Sequence, residues 1–458
     1  MNWQDETTAA HGGVVVELPL GDAAPDFNLE KVVCSHGLFM MAPNRWDPHS
    51  KTLERPLRLD DDDSSFMVHI SHPPHTPHAL QLRVFGTPPL SPPQHKSLMS
   101  QVSRMLRLSE EENRKLKEFH KMHEEAKGRG FGRMFRSPTL FEDMIKCILL
   151  CNCQWSRTLS MAKALCELQS ELQHPSSSLL KVENGSISSC QTIKNEQFAP
   201  NTPAGKESKK KLRVSKCSVN LANKYAEISA VEETDLKISS AEISSECSQE
   251  TGVLYKADLA QLSYTNTGNF PSPRELASLD EKFLSTRCKL GYRAGRVINL
   301  AREVVEGRIQ LNDFEYPDGT LSLSDYDKLF EKLRVINGFG PFSCANVLMC
   351  IGFYHVIPTD SETIRHLKQV HGKTSTIRTV QGDVEDIYGK YAPFQFLAYW
   401  SEIWRFYEER FGKLSEMPHS SHKLITATNM RPNMNRRSKR MKLSSENMHE
   451  DSIEKNGV

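Results

Sequence analysis

Leu333-Arg-Val-Ile336-Asn-Gly-Phe-Gly-Pro-Phe-Ser-Cys-Ala-Asn346, followed one helix later by Ile357-Pro-Thr-Asp360, decides the reading of this chain. Gly338 and Gly340 flank Phe339 between two stretches of helical apolar spacing. Two glycines so placed permit a tight turn that exposes backbone N–H groups. Such donors, set just ahead of a helix N-terminus, can hold a phosphate. Ile336 and Phe339 would pin the turn to a core. Taken alone, the turn reads better as a plain helix–helix loop. Asp360 also has a plain reading: Thr359 and Glu362 have capping-box spacing, and an acid there complements the helix dipole. Read with the turn, Asp360 becomes an ionised carboxylate near a ligand. It could then stabilise an oxocarbenium-like sugar or orient a water.

Working outward, the pattern is helical from His95, where Met99, Val102, Met105 and Leu106 recur at helical spacing. Ser137-Pro138 predicts an N-cap and first helical position, with Leu140, Met144, Cys147 and Ile148 on one buried face. A second helix is predicted over 155–169. Ser272-Pro273-Arg-Glu275 predicts another capped start, and Leu276, Leu279 and Phe283 fit one short helix. Further helices are predicted over 294–305, 324–335, 361–370, 380–388 and 393–411. Toward the N-terminus, Val14 to Leu18, Met67 to Ile70 and Leu80 to Phe85 read as strands. The predicted organisation is a flexible 1–25, a strand-rich 26–94, a helical 95–170, a disordered Ser/Lys/Glu/Asn-rich insert at 171–254, a helical 255–415 and a disordered basic tail at 416–458.

The 458 residues suggest two or three domains at roughly 150 residues each. An apolar share of 38% lies below the roughly 45–50% of a compact chain, which fits a core diluted by disordered segments. No apolar run approaches the ~18 residues of a membrane helix, and the N-terminus lacks a secretory signal's basic start and apolar stretch. A membrane or secreted protein is therefore not expected. The 11 cysteines are odd in number and scattered, as in a chain with reduced thiols. Cys147, Cys151 and Cys153 make only a weak metal cluster. A net charge of +1 does not exclude nucleic acid, because a basic face can be balanced by acids elsewhere.

The hairpin and Asp360 motifs resemble those of the helix–hairpin–helix DNA glycosylase superfamily. Supporting segments lie in the same order. Arg136-Ser-Pro-Thr-Leu-Phe-Glu-Asp143 resembles the entrance to that domain's first long helix, and Leu290-Gly-Tyr-Arg-Ala294 resembles its Gly-Tyr-Arg-Ala turn. The strand-rich start is similar to the extra domain of the 3-methyladenine glycosylase II and 8-oxoguanine glycosylase branches. The likeness covers about 25–170 and 255–415 and is strongest toward uncharacterised plant members. It implies an α+β fold: a mostly helical glycosylase core preceded by a small antiparallel sheet.

The resemblance implies roles residue by residue. Ile336, Gly338, Phe339 and Gly340 would form the hairpin that grips a phosphate, with a structural monovalent cation at the turn. Asp360 would be the catalytic acid acting on a base flipped from the stack. Asn152 and Arg157 would read the opposite base, against the plain reading of local packing. Tyr292 would be the wedge and Arg293 a second base reader, against a core role. The slot that holds a lysine in strand-cutting relatives falls on Phe342 or Ser343, and neither can form an imine. A monofunctional glycosylase is therefore expected, acting first on alkylated and second on oxidised purines. A non-catalytic damaged-DNA-binding protein is the alternative. No cysteine follows Cys350, which argues against an iron–sulfur cluster. No other metal or cofactor is expected.

Trp400, Trp404, Phe394 and Tyr399 could stack on a flipped base, though core packing is the plainer role. Arg436, Arg437, Lys439, Arg440 and Lys442 form a basic tail cluster that reads as nuclear localisation. The expected partner is double-stranded DNA with damaged bases, bound by a monomer. Abasic-site enzymes would act downstream.

Overall fold

The computed structural model describes residues 13–59, 65–86, 89–174, 268–315, 322–426 and 429–430. The chain divides into two units, Met1–Leu180 with Ser263–Val458, and Lys181–Leu262; the described residues all belong to the first.

Five antiparallel strands form one sheet in the order β1-β5-β4-β3-β2: β1 (Gly13–Pro19), β2 (Arg45–Asp47), β3 (Thr52–Arg58), β4 (Ser65–Ser71) and β5 (Ala79–Phe85). Alternation sets the buried face: Leu80, Leu82 and Val84 of β5 are all fully buried, with Val16 opposite Leu82 and Val68 opposite Val84. The fourteen described helices are α1 (Leu29–Val33), α2 (Pro92–Leu106), α3 (Glu110–Met122), α4 (Glu124–Arg129), α5 (Leu140–Leu150), α6 (Trp155–Gln173), α7 (Pro273–Ala277), α8 (Glu281–Arg287), α9 (Arg293–Val305), α10 (Leu323–Arg334), α11 (Pro341–Ile351), α12 (Ser361–Val370), α13 (Val380–Tyr388) and α14 (Gln395–Phe411). None of them is long and apolar enough to cross a membrane.

Several expectations are corrected. The segment 1–25 is not wholly flexible, because β1 pairs along its length with β5 and buries Val16 and Leu18. Strand β3 escaped the sequence reading because it carries Glu54, Arg55 and Pro56. All three are buried, and Arg55 reaches α5, where Nη2 lies 3.0 Å from Glu142 Oε2. Pro56 is tolerated because β2 pairs with β3 only over Thr52, Leu53 and Glu54. Helix α5 is capped by Thr139 rather than Ser137, whose N–H donates to Asp143 Oδ1 at 2.8 Å. The single helix expected around Leu276 to Phe283 is two, α7 and α8, with Asp280 capping the second. The expected insert begins late, since α6 runs to Gln173; from Pro175 onward it lies outside the described residues, as does 255–267. The tail does not begin at 416. Two 3₁₀ turns, Leu414–Glu416 and His419–Leu424, continue the fold, with Ile425 and Met430 buried. Ser415 accepts the Trp46 indole N–H at 3.0 Å, which ties this segment to β2.

Helix α11 sets the position of the hairpin, and its far end is held by two arginines, one buried and one half-buried. Arg107 Nη2 donates to the Met349 and Cys350 carbonyls, each at 3.0 Å, and Arg136 Nη1 donates to Cys350 O at 2.7 Å. The last carbonyls of a helix lack internal partners and carry partial negative charge, so buried cations there satisfy both needs. Arg107 is further fixed by Glu112 at 3.0 Å and by the Met134 carbonyl. Arg107→Met is expected to lower the unfolding free energy in urea by about 3–5 kcal/mol, because it leaves Glu112 and the α11 carbonyls buried without their cation. A loss below about 1 kcal/mol would show that these groups find other partners.

Candidate active site

The turn between α10 and α11 closes as Ile336 N–H donates to Leu333 O and Phe339 N–H donates to Ile336 O. Ile336 and Phe339 are buried and anchor it. Gly338 has φ +99°, and a Cβ there would meet Arg296 Cδ at 2.5 Å, so both conformation and space require glycine. Gly340 caps α11, and Pro341 takes its first position. The Gly338 N–H donates to no group among the described residues. The Gly340 N–H makes only a long bond of 3.4 Å to Ser343 Oγ. The turn therefore offers donors beside a helix N-terminus, with the Arg296 side chain lying against it.

Asp360 is itself the N-cap of α12, one residue later than the Thr359–Glu362 spacing suggests. Its Oδ1 accepts from Glu362 N–H at 2.9 Å, Thr363 N–H at 3.0 Å and Thr363 Oγ1 at 3.2 Å. Thr363 Oγ1 is bonded in turn to Tyr399 OH at 2.9 Å. The carboxylate is thus gripped by one oxygen, and Oδ2 accepts no hydrogen bond among the described residues. Asp360 lines a cavity of about 540 Å³. Burial pushes its carboxyl above the ordinary Asp range, and the Glu362 charge adds to this, against the amide bonds that pull the other way. Desolvation outweighs the pull of the helix start on this acid.

Seven aromatic side chains line the cavity: Trp155, Phe342, Phe396, Tyr399, Trp400, Trp404 and Tyr407. Phe396 and Trp400 stack at 5.8 Å. Phe394 is buried and does not line it. Phe342 of the expected lysine slot faces the cavity; Ser343 is buried beside Cys151 Sγ at 3.3 Å. No lysine or arginine is among the lining residues. One wall comes from the sheet region, where His36 to Met40 follow α1, and another from Ile425, Thr426 and Met430. Neither wall is legible from local sequence pattern. Their residues are far from α11 in the chain, and 416–430 is polar enough to pass for tail. His36 packs on Trp400 at 4.7 Å, and burial, with Arg107 adding, lowers its pKa to about 3, so it is neutral.

The four residues expected to face DNA bases divide. Asn152, in the left-handed region at φ +48°, is exposed, and so is Arg157, whose Nη2 donates to Lys289 O at 3.4 Å. Tyr292 is 52% exposed, which removes the core reading; the Arg293 and Arg296 guanidiniums lie 4.6 and 4.7 Å from its ring centre. Arg293 is a correction. It is buried, and its Nη2 donates to the Cys151 and Asn152 carbonyls, so it braces the loop that presents Asn152 and is not placed to read a base. Arg436, Arg437, Lys439, Arg440 and Lys442 lie outside the described residues. Cys147, Cys151 and Cys153 form no metal-ligand group among the described residues.

No family model matches the sequence, and no curated protein matches it. Solved structures do. MBOgg1 in complex with a low affinity DNA ligand is 15% identical, with a TM-score of 0.46, over 86% of this chain and 97% of that one. The Clostridium acetobutylicum 8-oxoguanine glycosylase/lyase in its apo form is 11% identical, with a TM-score of 0.46, over 86% and 95%. The 3-methyladenine DNA-glycosylase from Archaeoglobus fulgidus is 13% identical, with a TM-score of 0.46, over 87% and 98%. Likeness of this degree carries no argument about function, which must come from the site itself.

The raised Asp360 pKa has a thermodynamic consequence. Ionisation costs the folded state more than the unfolded one, so the penalty is absent below the unfolded pKa and complete above the folded one. Asn caps helices as well as Asp does. Asp360→Asn is therefore expected to unfold at a higher temperature than the parent near pH 7, with the gap narrowing toward about pH 4. A variant less stable at both pH values would contradict the placement of Asp360 in a desolvated site.

Proposed function

We propose that the chain is a monofunctional DNA N-glycosylase of the helix–hairpin–helix kind, hydrolysing the glycosidic bond of a damaged base flipped from duplex DNA. The observation that carries this reading is Asp360. Its carboxylate is held by one oxygen, with the other unengaged, in an aromatic cavity that no lysine lines. A carboxylate so placed can stabilise positive charge as it develops on the sugar and position the attacking water. A purine fits within about 540 Å³, and aromatic walls can stack on it whichever base it is. The hairpin amides and the α11 N-terminus would hold a backbone phosphate, with Tyr292 as the wedge and Asn152 and Arg157 at the opposite strand.

The cavity also supports a substrate class. Its charged lining residues are the acids Asp360 and Glu362, the latter paired with Arg365, and His36 is neutral. Electron-rich rings beside the unpaired Asp360 carboxylate favour a cationic base over a neutral one. N-alkylated purines are cationic and already good leaving groups, so they come first and oxidised purines second. Without a cavity lysine, no Schiff base forms and the strand stays intact. The basic tail cluster is proposed to direct the chain to the nucleus.

The test uses duplexes that each carry one lesion: methylated purines, hypoxanthine, uracil or 8-oxoguanine. Strand breaks are expected only after hot alkali, with the methylated purines released fastest. Asp360→Asn is expected to slow release about 10²-fold or more. A borohydride-trapped covalent complex, or equal release by Asp360→Asn, would overturn the reading. Tight binding with no base release from any duplex would favour a non-catalytic damaged-DNA-binding protein.

A further inference from the structure

Along α12 from its Asp360 cap, beyond Thr363 and Tyr399, three donors converge on one oxygen. His366 Nε2 lies 2.6 Å from Glu402 Oε1, His371 Nε2 lies 2.7 Å from it, and Tyr388 OH donates to it at 2.9 Å. His371 Nε2 and Tyr388 OH are themselves 3.2 Å apart. The ligand atoms of His366, His371 and Glu402 all lie within 4.8 Å of one another, and this is the one such group of His, Cys, Asp and Glu among the described residues. A carboxylate oxygen has about two lone-pair positions, so three donors crowd Oε1, whereas Oε2 accepts from no described residue. A simple hydrogen-bond hub would spread its donors over both oxygens. Three ligand-type groups this close to one another need only a small opening to take an ion between them.

We propose that His366, His371 and Glu402 bind a zinc ion, with the Tyr388 hydroxyl over the fourth corner. Two imidazole nitrogens and one carboxylate are a donor set that suits zinc. Zinc–nitrogen and zinc–oxygen distances near 2.0–2.1 Å place tetrahedral ligands about 3.3 Å apart. The present contacts reach that spacing if Glu402 withdraws by less than about 1 Å. Each imidazole then carries its proton on Nδ1 and offers Nε2 to the ion. His366 Nδ1 has no partner among the described residues and so does not discriminate between the two states. The His366 side chain is fully buried, and those of His371 and Glu402 are about one quarter exposed, which gives an ion access from one side. Tyr399, 5.9 Å from His366, and Phe406, 5.8 Å away, form an apolar backing.

The site would join three helices. His366 lies on α12 and His371 at its C-cap, Glu402 is on α14 and Tyr388 ends α13. Its role is structural. It would fix the helix whose first residues hold Asp360, and Tyr399, which bonds Thr363 and stands 5.5 Å from Tyr388.

The test is metal content and spectroscopy on the full chain, with no dependence on base release. After zinc loading and desalting, about one zinc per chain is expected, with an unfolding temperature raised by zinc and lowered by chelator. Cobalt in its place should give the visible bands of a tetrahedral site. His371→Ala and Glu402→Gln, with circular dichroism confirming their fold, are each expected to weaken zinc binding tenfold or more. Failure of the loaded protein to hold zinc would overturn the proposal. So would equal zinc retention by the two variants combined, which would place the ion on cysteines.

Discussion

Two guanidiniums on the last carbonyls of α11, the buried one of Arg107 and the half-buried one of Arg136, are the constraint on which the rest of the site depends. Arg107 and Arg136 come from α2 and from the segment before α5, so α11 is clamped by parts of the chain more than two hundred residues away. Clamping one end of a short helix fixes the other. Its N-terminus carries the glycine hairpin, and its first turn puts Phe342 and Asn346 on the cavity wall. A second buried ion group, Arg55 with Glu142 and Lys146, fastens the sheet to α5 and brings the His36–Met40 wall to the same cavity. Removing one partner from such a group is costly, because the charges left behind are already out of water.

The site spends some of that stability. Asp360 would be more comfortable neutral or in water, yet the first amides of α12 grip its carboxylate in an aromatic enclosure. Its two gripped amides orient one oxygen and leave the other toward the cavity. An acid that must meet a developing positive charge works best where water does not screen it. The same desolvation that raises its pKa is therefore the source of its use. His36 is neutral and no lysine or arginine lines the cavity, so no cation offsets the Asp360 charge directly.

Much of the helical core was legible because its signals are local. The Gly-Phe-Gly turn, the Pro-Thr-Asp start of α12 and the Ser272-Pro273 cap each fit within a few residues. So did three of the five strands, which alternate apolar and polar residues. Strand β3 was missed because its buried Glu54 and Arg55 are satisfied by partners outside the strand. Arg293 departs from the base-reading role that the resemblance implies for a related reason: its hydrogen bonds go to carbonyls 141 and 142 residues away. The walls from His36 to Met40 and from Ile425 to Met430, and the His366–His371–Glu402 group, exist only once the chain has folded. No spacing rule joins a residue pair on one helix to a glutamate thirty-one positions further on.

The central claim is that Asp360 supplies negative charge to a sugar that becomes positive. The most direct measurement compares binding of two uncleavable duplexes, one with a positively charged azasugar at the lesion and one with a neutral abasic analogue. The parent protein should bind the charged analogue at least about tenfold more tightly, and Asp360→Asn should lose that preference while keeping its affinity for the neutral one. Equal affinity of the parent for both duplexes, or a preference that survives in Asp360→Asn, would contradict it.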